Sequence, residues 1–528
     1  MELRNRWHED SVFRNLIKRT GEIPPITNRQ DTRTAALVVG ATFTRTAKGY
    51  DPDVLGMVPP TGTRISRMSQ TMLNDLLSVY ASEIFYLGRA YANDIFYPMW
   101  LKHFGSGVGG AGEAYHIGIF GKTGSGKSGL AKMILVGYAR HPQMGILVID
   151  PQGEFSLEMQ GTRVGQQGLA LDEALKGSGR QISRYTIEDI QLDEWDLFEE
   201  LLVSLRFTEQ LGIPAASADN SRRAAEVIRN ALEREPNTRL DSLGNEPSLQ
   251  VALMAVQKNA VYVYSTASRA QQLQQRIGQI QANRNDLNNL LQQHWLPLAG
   301  LFARGQRRRQ MYGIIDDLMR PLQSGQARPI VVIDISQRGN QRFWSEELQR
   351  KILSRLLGAL IARSTQGLST QTSANVLVVL DEAHRHAPSG MLESGSQASL
   401  LRTQLRTAVR ETRKHGVGWC FISQTLGGLD YEIIQQLRIL FFGFGLALGS
   451  EFDKLKDFVG GDKRSMELYQ SFRDPQSFPR RDLQEFPFMA VGPVSPLAFS
   501  GRPVFFTAFT DPQEFLRANK IPTQTKLL

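Results

Sequence analysis

The stretch HIGIFGKTGSGKS, residues 116–128, decides the fold of this chain. Residues 121–128 fit the pattern G-x-x-x-x-G-K-[ST] in full, after a short apolar run and before the helical pattern SGLAKMILVGYA. Glycines permit a tight loop whose backbone N–H groups point at phosphate oxygens, and the following helix adds the positive end of its dipole. The pattern therefore predicts a phosphate-binding loop between a strand and a helix.

Each residue of this loop is a candidate contact to a nucleoside triphosphate. Lys127 is expected to reach the β- and γ-phosphates, and the Ser128 hydroxyl is expected to bind Mg²⁺. We therefore expect ATP and Mg²⁺ as cofactors. The predicted cofactor-binding residues of the loop are Gly121, Lys122, Thr123, Gly124, Ser125, Gly126, Lys127 and Ser128.

A phosphate-binding loop needs an acidic partner on a nearby strand to hold Mg²⁺. Three apolar runs end in aspartate, at Asp150, Asp334 and Asp381, and the third continues as Asp-Glu in LVVLDEAH. Asp381 is predicted to hold Mg²⁺ and Glu382 to polarise the attacking water. This pair favours hydrolysis over simple nucleotide binding; the alternative is that Glu382 is an exposed acid at a strand end.

Two further polar residues are candidates for the same site. Glu154 lies in IDPQGEF, four residues after Asp150, whose strand is expected to neighbour the phosphate loop. It is predicted either to approach the nucleotide or the next subunit, or to be a solvated acid in a turn. Gln424 ends the run CFISQ and is predicted to sense the γ-phosphate or orient water, with a simple strand-end cap as the alternative.

Four arginines repeat in LLRTQLRTAVRETRKHG at spacings of 4, 4 and 3, which places them on one helical face. We expect this helix at the nucleotide end of the sheet, with Gly416 as its C-cap. Arg410 or Arg413 is then predicted to neutralise transition-state charge on the ATP of a neighbouring subunit. The alternative is a solvated basic face.

His384 and His386 follow the Asp-Glu pair, but no third ligand stands at a metal-binding spacing. We interpret both as loop or coupling residues. Cys420 is the single cysteine, which excludes a disulfide framework and is consistent with a buried apolar role.

Short apolar runs with helical patterns between them predict an α/β fold, a mostly parallel sheet buried on both faces. The runs are residues 116–120, 145–150, 329–335, 375–381 and 418–423. The predicted domains are an N-terminal helix with a small β-domain and connecting helices (1–104), an ATPase core (115–160 with 329–510), an inserted helical subdomain (161–328) and a C-terminal tail (511–528).

The insert contains Leu273, Ile277, Ile280, Leu287 and Leu291, which repeat at spacings of 4, 3, 7 and 4. This is an amphipathic helical seam. We favour packing inside the insert over a coiled-coil contact with a partner.

Composition and charge limit the class of protein. Of 528 residues, 41% are hydrophobic and 21% charged, which is ordinary for globular domains and argues against wholesale disorder. The net charge of +9 is a weak indication of a polyanionic partner. Candidate nucleic-acid contacts are the basic loops 304–309 and 337–342 and the Ser/Gly-rich loop 386–399. With neither a membrane-spanning run nor a secretory signal at the N-terminus, we expect a cytoplasmic protein without membrane insertion.

The order of five motifs in this chain resembles that of the HerA-type ATPases, in the FtsK/HerA branch of RecA-like proteins. The motifs are GKTGSGKS, IDPQGEF, VVIDIS, LVVLDEAH and RETRKHGVG with ISQ. The resemblance covers about residues 115–450. It implies a RecA-like core, a small N-terminal β-barrel and a closing β-hairpin at VGPVSPLAFSGRPVFFTAF. It also implies a homohexameric ring that moves duplex DNA through its pore, with ATP between subunits and an arginine supplied in trans.

Carried onto this chain, the family roles assign Lys127 and Ser128 to phosphate and Mg²⁺, Asp381 and Glu382 to Mg²⁺ and water, and Gln424 to the sensor. Relatives work with a nuclease or, in bacterial defence operons, with an effector such as a sirtuin-like enzyme. The N-terminal segment and the Gln-rich insert depart from the archaeal repair-type pattern. A role in anti-phage defence is therefore an expectation that leaves the partner open.

Three functions remain under this resemblance. The first is an ATP-driven DNA translocase or helicase. The second is an ATP-regulated hexameric scaffold that assembles and activates an effector enzyme. The third is a conjugation- or secretion-type motor, against which the lack of a membrane-spanning run counts.

Overall fold

The chain divides into two units, residues 1–66 and residues 67–528. We describe both from a computed structural model. The described residues are 2–3, 33–34, 40–47, 49–54, 56–57, 59–60, 62–162, 169, 171–236, 238–305, 308–320, 322, 325–366, 373–498 and 501–522.

The described residues form strands and helices in both units. The strands are β1 (Glu2–Leu3), β2 (Arg33–Thr34), β3 (Thr42–Thr46), β4 (Gly49–Asp53), β5 (Ile84–Ala90), β6 (Phe96–Trp100), β7 (Ile117–Phe120), β8 (Gly145–Asp150), β9 (Ile182–Tyr185), β10 (Ile190–Gln191), β11 (Arg309–Gln310), β12 (Ile330–Asp334), β13 (Val376–Leu380), β14 (Val417–Ser423), β15 (Ile439–Gly443), β16 (Phe486–Val491) and β17 (Val504–Ala508). The α-helices are α1 (Gln70–Leu76), α2 (Lys127–Ala139), α3 (Glu154–Glu158), α4 (Leu171–Gly177), α5 (Trp195–Ser204), α6 (Phe207–Gln210), α7 (Ala218–Arg234), α8 (Glu246–Lys258), α9 (Ala260–Val263), α10 (Ala267–Ala282), α11 (Arg284–Leu290), α12 (Leu296–Gly300), α13 (Met311–Met319), α14 (Glu346–Gln366), α15 (Ala383–His386), α16 (Gln397–Thr412), α17 (Tyr431–Gln435), α18 (Gly449–Val459), α19 (Lys463–Gln470) and α20 (Pro512–Ala518).

One 11-stranded sheet carries the second unit, in the order β6-β5-β17-β16-β15-β7-β14-β13-β8-β12-β9. The seven strands from β15 to β9 in this order are all parallel to their neighbours. The strands β6, β5, β17 and β16 are antiparallel to their neighbours, including the pair of β16 with β15. The predicted α/β class with a mostly parallel sheet is confirmed.

Alternate residues of the central strands face two separate apolar cores. Along β8, Leu147 and Ile149 pack into the first core, and Ile146 and Val148 pack into the second. The first core also holds the helical insert with α14 and α16, and the second holds α2 and α20. Burial on both faces explains why these strands read as continuous apolar runs.

The parallel strands end together at one edge of the sheet, which we call the carboxyl edge. It is marked by Phe120, Asp150, Leu380, Ser423 and Gly443. Strand β16 runs antiparallel to β15, so its first residue, Phe486, lies at this same edge. Loops that leave the strands here therefore converge on the phosphate-binding loop that follows β7.

The expected position of β8 beside the phosphate loop strand is wrong. Strand β7 has β14 and β15 as neighbours, and β8 lies between β13 and β12. Each crossover from β7 and from β8 skips strands that come later in the chain, which a single sequence does not reveal.

The connecting helices expected within residues 1–104 do not extend to residues 84–100. Residues 84–100 form the β5–β6 hairpin that extends the main sheet. Phe85 and Leu87 alternate into the second core, so the aromatic and branched side chains suit a half-buried strand. The boundary between the two units accordingly lies at residue 66 rather than at residue 104.

The first unit contains two antiparallel pairs among its described residues, β1 with β2 and β3 with β4. The β-barrel expected from the family resemblance stays a prediction. The basic helix expected at residues 1–20 lies outside the described residues apart from 2–3, which belong to β1.

The insert expected at 161–328 is mostly helical, but it also contributes β9 to the edge of the main sheet, paired with β12. Its helical body runs from α5 to α13. The seam residues Leu273, Ile277 and Ile280 are buried in the first core, so the packing interpretation of this seam is confirmed.

The C-terminal segment is not a free tail as far as residue 522. Phe515 and Leu516 of α20 are buried in the second core. The expected closing hairpin is confirmed by β16 and β17, which pair from Phe486 with Ala508 onward. Among the described helices, none combines the length and the apolar character that crossing a bilayer requires.

Candidate functional site

The phosphate-binding loop joins the end of β7 to the start of α2. Gly124 and Gly126 have φ values of +81° and +87°, a left-handed conformation that side chains disfavour. The backbone N–H groups in the first turn of α2 have no carbonyl acceptor within the helix, so they are available to bind an anion. The loop thus has the backbone shape that its sequence predicts.

Lys127 lies in the wall of the cleft above this loop. It is only 8% exposed, and its Nζ donates to the Lys122 carbonyl at 3.0 Å. Burial lowers the pKa of Lys127, and the nearby carboxylates of Glu382 and Asp381 oppose that shift. The ammonium group is therefore held in the cleft opposite two acids.

Asp381 and Glu382 follow β13 at the carboxyl edge. Burial is the main cause that raises the pKa of Asp381 to about 7, and the negative charge of the neighbouring Glu382 adds to it. Asp381 Oδ1 accepts from the Glu382 N–H at 2.9 Å, and Glu382 has φ of +48°, a strained value for a non-glycine residue. The Glu382 side chain lines the cleft together with residues of the phosphate loop.

Glu382 is held by neighbours on both sides. Its Oε1 accepts from Gln424 Nε2 at 2.7 Å, and its Oε2 lies 3.4 Å from His384 Nδ1. Oε2 is buried and accepts no hydrogen bond within the described part of the chain. Gln424 Oε1 in turn accepts from the Thr123 hydroxyl at 3.2 Å, so Gln424 bridges Glu382 and the phosphate loop.

The structure distinguishes the three strand-end aspartates by their hydrogen bonds. Asp150 accepts from the N–H groups of Gly153 and Ser156, both at 2.8 Å. Asp334 accepts from Ser336 and from Arg184 Nη2 at 2.7 Å. Asp381 is the one of the three that lines the cleft.

The oxygens of Ser128 and Asp381 are those that could hold Mg²⁺ here. Both line the cleft, and the buried Asp381 carboxyl, whose pKa is raised, is a group that a divalent cation would stabilise in its charged form. The site therefore fits a nucleotide with its metal. Among the described residues no group of three His, Cys, Asp or Glu side chains forms a separate metal cluster, and the interpretation of His384 and His386 stays a prediction.

Glu154 begins α3 and also lines the cleft. Lys132 Nζ lies 3.9 Å from Glu154 and 2.8 Å from Glu158, which is buried with it. Lys132 is thus a second ammonium group on α2, and it holds the Glu154 side of the cleft in place.

The cleft has a volume of about 290 Å³. Nine predicted site residues line it: Thr123, Gly124, Gly126, Lys127, Ser128, Glu154, Asp381, Glu382 and Gln424. The other three residues of the loop, Gly121, Lys122 and Ser125, do not line the cleft. A Cβ on Gly121 would meet Ser125 Oγ at 2.6 Å, and the Lys122 side chain covers Gly445.

The two arginines expected at the nucleotide end lie at the opposite edge. Helix α16 begins at the carboxyl edge and ends just before β14 begins, so Arg410 and Arg413 lie about 20 Å from that edge at ~3.3 Å per strand residue. Gly416 does cap the turn, with φ of +80°. The expected placement is wrong because the helix runs antiparallel to the strands; a role in a neighbouring subunit stays a prediction.

The other two arginines of this helical face, Arg402 and Arg406, make contacts within the chain. Arg402 donates to the carbonyls of Pro388 and Gly390, and Arg406 makes a bidentate pair with Asp430 at 2.9 and 2.5 Å.

Lys132, Gln476 and Phe486 line the cleft and were not among the predicted site residues. Lys132 had a signal in the sequence, since it is the one charge inside the apolar stretch LAKMILVGYA. Gln476 and Phe486 belong to no motif and come from the segment before β16 and its first residue.

Residues 114–360 match the family model described as the central domain of the helicase HerA. This region of the chain is therefore similar to the central domain of HerA-type P-loop ATPases. The match contains the phosphate loop and Glu154 and ends before the Asp381–Glu382 pair, whose place in the cleft comes from the geometry above. No curated protein matches the sequence significantly.

The solved structures that are similar to this chain are remote in sequence. The genome packaging NTPase B204 from Sulfolobus turreted icosahedral virus 2, in complex with ATP-gammaS, is 8% identical, with 74% of this chain and 96% of that chain covered and a TM-score of 0.30. VirB4 of Thermoanaerobacter pseudethanolicus is 14% identical, with coverage of 81% and 97% and a TM-score of 0.39. The bacterial conjugative coupling protein TrwBdeltaN70 is 9% identical, with coverage of 75% and 84% and a TM-score of 0.37.

His386 gives a prediction about stability. It is 2% exposed, neither ring nitrogen has a hydrogen-bond partner in the described structure, and burial lowers its pKa to about 3. The unfolded chain binds this proton near pH 6.5, so the stability it contributes is present above pH 6.5 and is lost as the pH falls. Between pH 7.5 and pH 5.0 the wild type should lose about 2 kcal/mol that His386→Leu does not lose.

Urea unfolding of both proteins at the two pH values measures this difference. His116 and His141, whose pKa values burial lowers to about 4, remain in both proteins and cancel in the comparison. An equal pH dependence in wild type and variant would show that His386 takes up its proton in the folded state.

Proposed function

We propose that this protein is an ATP-hydrolysing, ring-forming translocase of duplex DNA that works with a nuclease or another effector subunit in anti-phage defence. The observation that carries the proposal is the shared cleft in which Lys127 of a complete phosphate loop faces Asp381, Glu382 and Gln424. The family match supports the motor class.

The chain's own residues suffice for the polar work of hydrolysis. The loop N–H groups and Lys127 bind and orient the phosphates, and Mg²⁺ held by Ser128 and Asp381 would neutralise phosphate charge. Glu382 Oε2, which accepts no other hydrogen bond among the described residues, is free to accept one from the attacking water and take its proton. Gln424 contacts both Glu382 and the loop, which suits a sensor of the γ-phosphate.

The trans arginine belongs to this proposal as well. Arg410 has a 66% exposed side chain, and its one ion pair among the described residues is with the adjacent Glu411 at 3.4 Å. An exposed pair of this kind is weak, so the guanidinium is free to be supplied to a neighbouring subunit of a hexamer. Arg413 is also exposed.

Two loops at the carboxyl edge are proposed to contact the DNA backbone. The loop after β12 is fixed by Asn340, whose side chain donates to the carbonyls of Asp334 and Ser336 at 2.8 and 2.9 Å. Arg338 and Arg342 extend from this fixed loop and are exposed. The loop 386–399 leaves the Asp381–Glu382 strand at the same edge, so movement at the nucleotide can reach DNA contacts directly.

The test of the function is ATP hydrolysis with and without duplex DNA over a salt series. Duplex DNA should stimulate hydrolysis, and the stimulation should fade as salt rises because phosphate contacts release counterions. Replacing both Arg338 and Arg342 by Ala should weaken DNA binding and lower the slope of log affinity against log salt by about 2.

The matched control replaces Arg222 and Arg234, exposed arginines on α7 of the insert, and should leave the slope unchanged. Hydrolysis that no DNA stimulates at any salt would favour the second candidate, an ATP-regulated scaffold for an effector. The effector and the defence role rest on the family resemblance, and co-purification from the native host would identify the partner.

A further inference from the structure

The two sides of the phosphate loop face different parts of the protein. On one side Thr123 contacts Gln424, which contacts Glu382. On the other side a Cβ built on Gly124 would lie 2.2 Å from Gln476 Nε2, and one built on Gly126 would lie 2.7 Å from the Phe486 ring. The cleft therefore has one side with the Glu382 carboxylate, the proposed general base. Its other side is uncharged and is made by Gln476 and Phe486 from the C-terminal part of the chain.

This asymmetry fixes the direction of a bound nucleotide. The γ-phosphate must meet Glu382 and Gln424, because hydrolysis takes place there. With the phosphates along the loop, the nucleoside then extends toward the opposite side, where Gln476 and Phe486 line the cleft.

The backbone of Gln476 is held in place by its surroundings, and its side chain is exposed at the cleft. It lies in a short 3₁₀ turn, Pro475–Ser477, where the Asp474 side chain accepts from the Gln476 N–H at 2.9 Å and Pro475 is buried. The preceding Phe472 packs on Tyr469 with ring centroids 5.0 Å apart.

Tyr469 ties this segment to the sheet next to the phosphate loop. Its hydroxyl donates to the Gly443 carbonyl at 2.6 Å and accepts from the Leu446 N–H at 3.2 Å. The buried proline and the aromatic anchor thus hold the backbone of this segment, so little loop entropy opposes contact with a bound ligand.

We propose that Gln476 determines the base specificity of the nucleotide site by accepting a hydrogen bond from the 6-amino group of adenine, while Phe486 forms the wall beneath the nucleoside. Its Nε2 is turned to the loop, which leaves Oε1 as the acceptor for the base. Guanine carries a carbonyl oxygen at that position, which would repel Oε1. The inference rests on the proposed function, since it concerns the same nucleotide site.

Competition of ADP and GDP against a fluorescent mant-ADP probe tests the assignment without hydrolysis. The wild type should bind ADP about tenfold more tightly than GDP, the effect of one well-placed hydrogen bond. Gln476→Ala should bring the two affinities within about twofold of each other. Gln476→Glu keeps an acceptor and should retain the preference for ADP, even though its charge weakens both nucleotides.

The control is Gln470→Ala, an exposed glutamine at the end of α19, which should keep the wild-type ratio. If mant-ADP binds but Gln476→Ala keeps the tenfold ratio, the assignment of Gln476 is wrong and the ATPase proposal stands. If Gln476→Ala instead lowers ATP turnover at an unchanged ratio, Gln476 acts on the phosphates and the inference is overturned. If mant-ADP does not bind the wild type, the proposed function itself fails.

Discussion

Replacing Glu382 by Gln is expected to lower ATP turnover about 10²–10⁴-fold, the usual contribution of a general base. The amide side chain would preserve the shape and the contact to Gln424, but it could no longer take a proton from water. ATP binding should change little, because Lys127 and the loop N–H groups remain. Single-turnover hydrolysis and nucleotide affinity, measured on the same preparation, separate these two effects.

The control is Glu467→Gln, which removes an exposed acid of α19 that pairs with Lys463. Its turnover should equal that of the wild type. The Glu382 variant also separates the candidate functions, since a translocase would lose its DNA-dependent activity whereas a scaffold would keep its effector active. Turnover within threefold of the wild type would remove Glu382 from the mechanism.

Replacing Lys127 by Ala is expected to weaken ATP binding about 30- to 150-fold, which corresponds to about 2–3 kcal/mol for hydrogen bonds to a charged group. Lys127 is the buried ammonium group that faces the acids, and its loss leaves the phosphates opposite uncompensated carboxylates. Equilibrium binding of a fluorescent ATP analogue measures the change.

Lys122→Ala is the matched control because Lys122 belongs to the same loop while its side chain covers Gly445 outside the cleft. Its affinity for ATP should stay within about threefold of the wild type. Equal losses in both variants would mean that charge near the loop, and not the position of Lys127, determines affinity.

The residues that the sequence predicted best are those whose chemistry is local. The phosphate loop and the Asp381–Glu382 pair are each continuous in sequence, and their strand and helix flanks indicate where they stand. Gln424 could be predicted for the same reason, since it ends an apolar run. The cleft brings these three elements together.

What the sequence could not reveal depends on strand order and chain direction. The place of β8 away from β7 follows from crossovers that only the whole sheet defines. Arg410 was expected at the wrong edge because helical spacing gives a face and not a direction. Gln476 carries no motif and reaches the loop only because β16 runs antiparallel, which brings the segment before Phe486 to the carboxyl edge.

The antiparallel course of β16 also has a consequence for how the protein is made. The cleft needs Gly124 at one end of the chain and Phe486 near the other, about 360 residues later. At ~5–20 residues per second, a ribosome takes roughly 20–70 s to cover that distance. Because β7 itself pairs with β14 and β15, the phosphate loop and the wall beside it can both assemble only after most of the polypeptide has emerged.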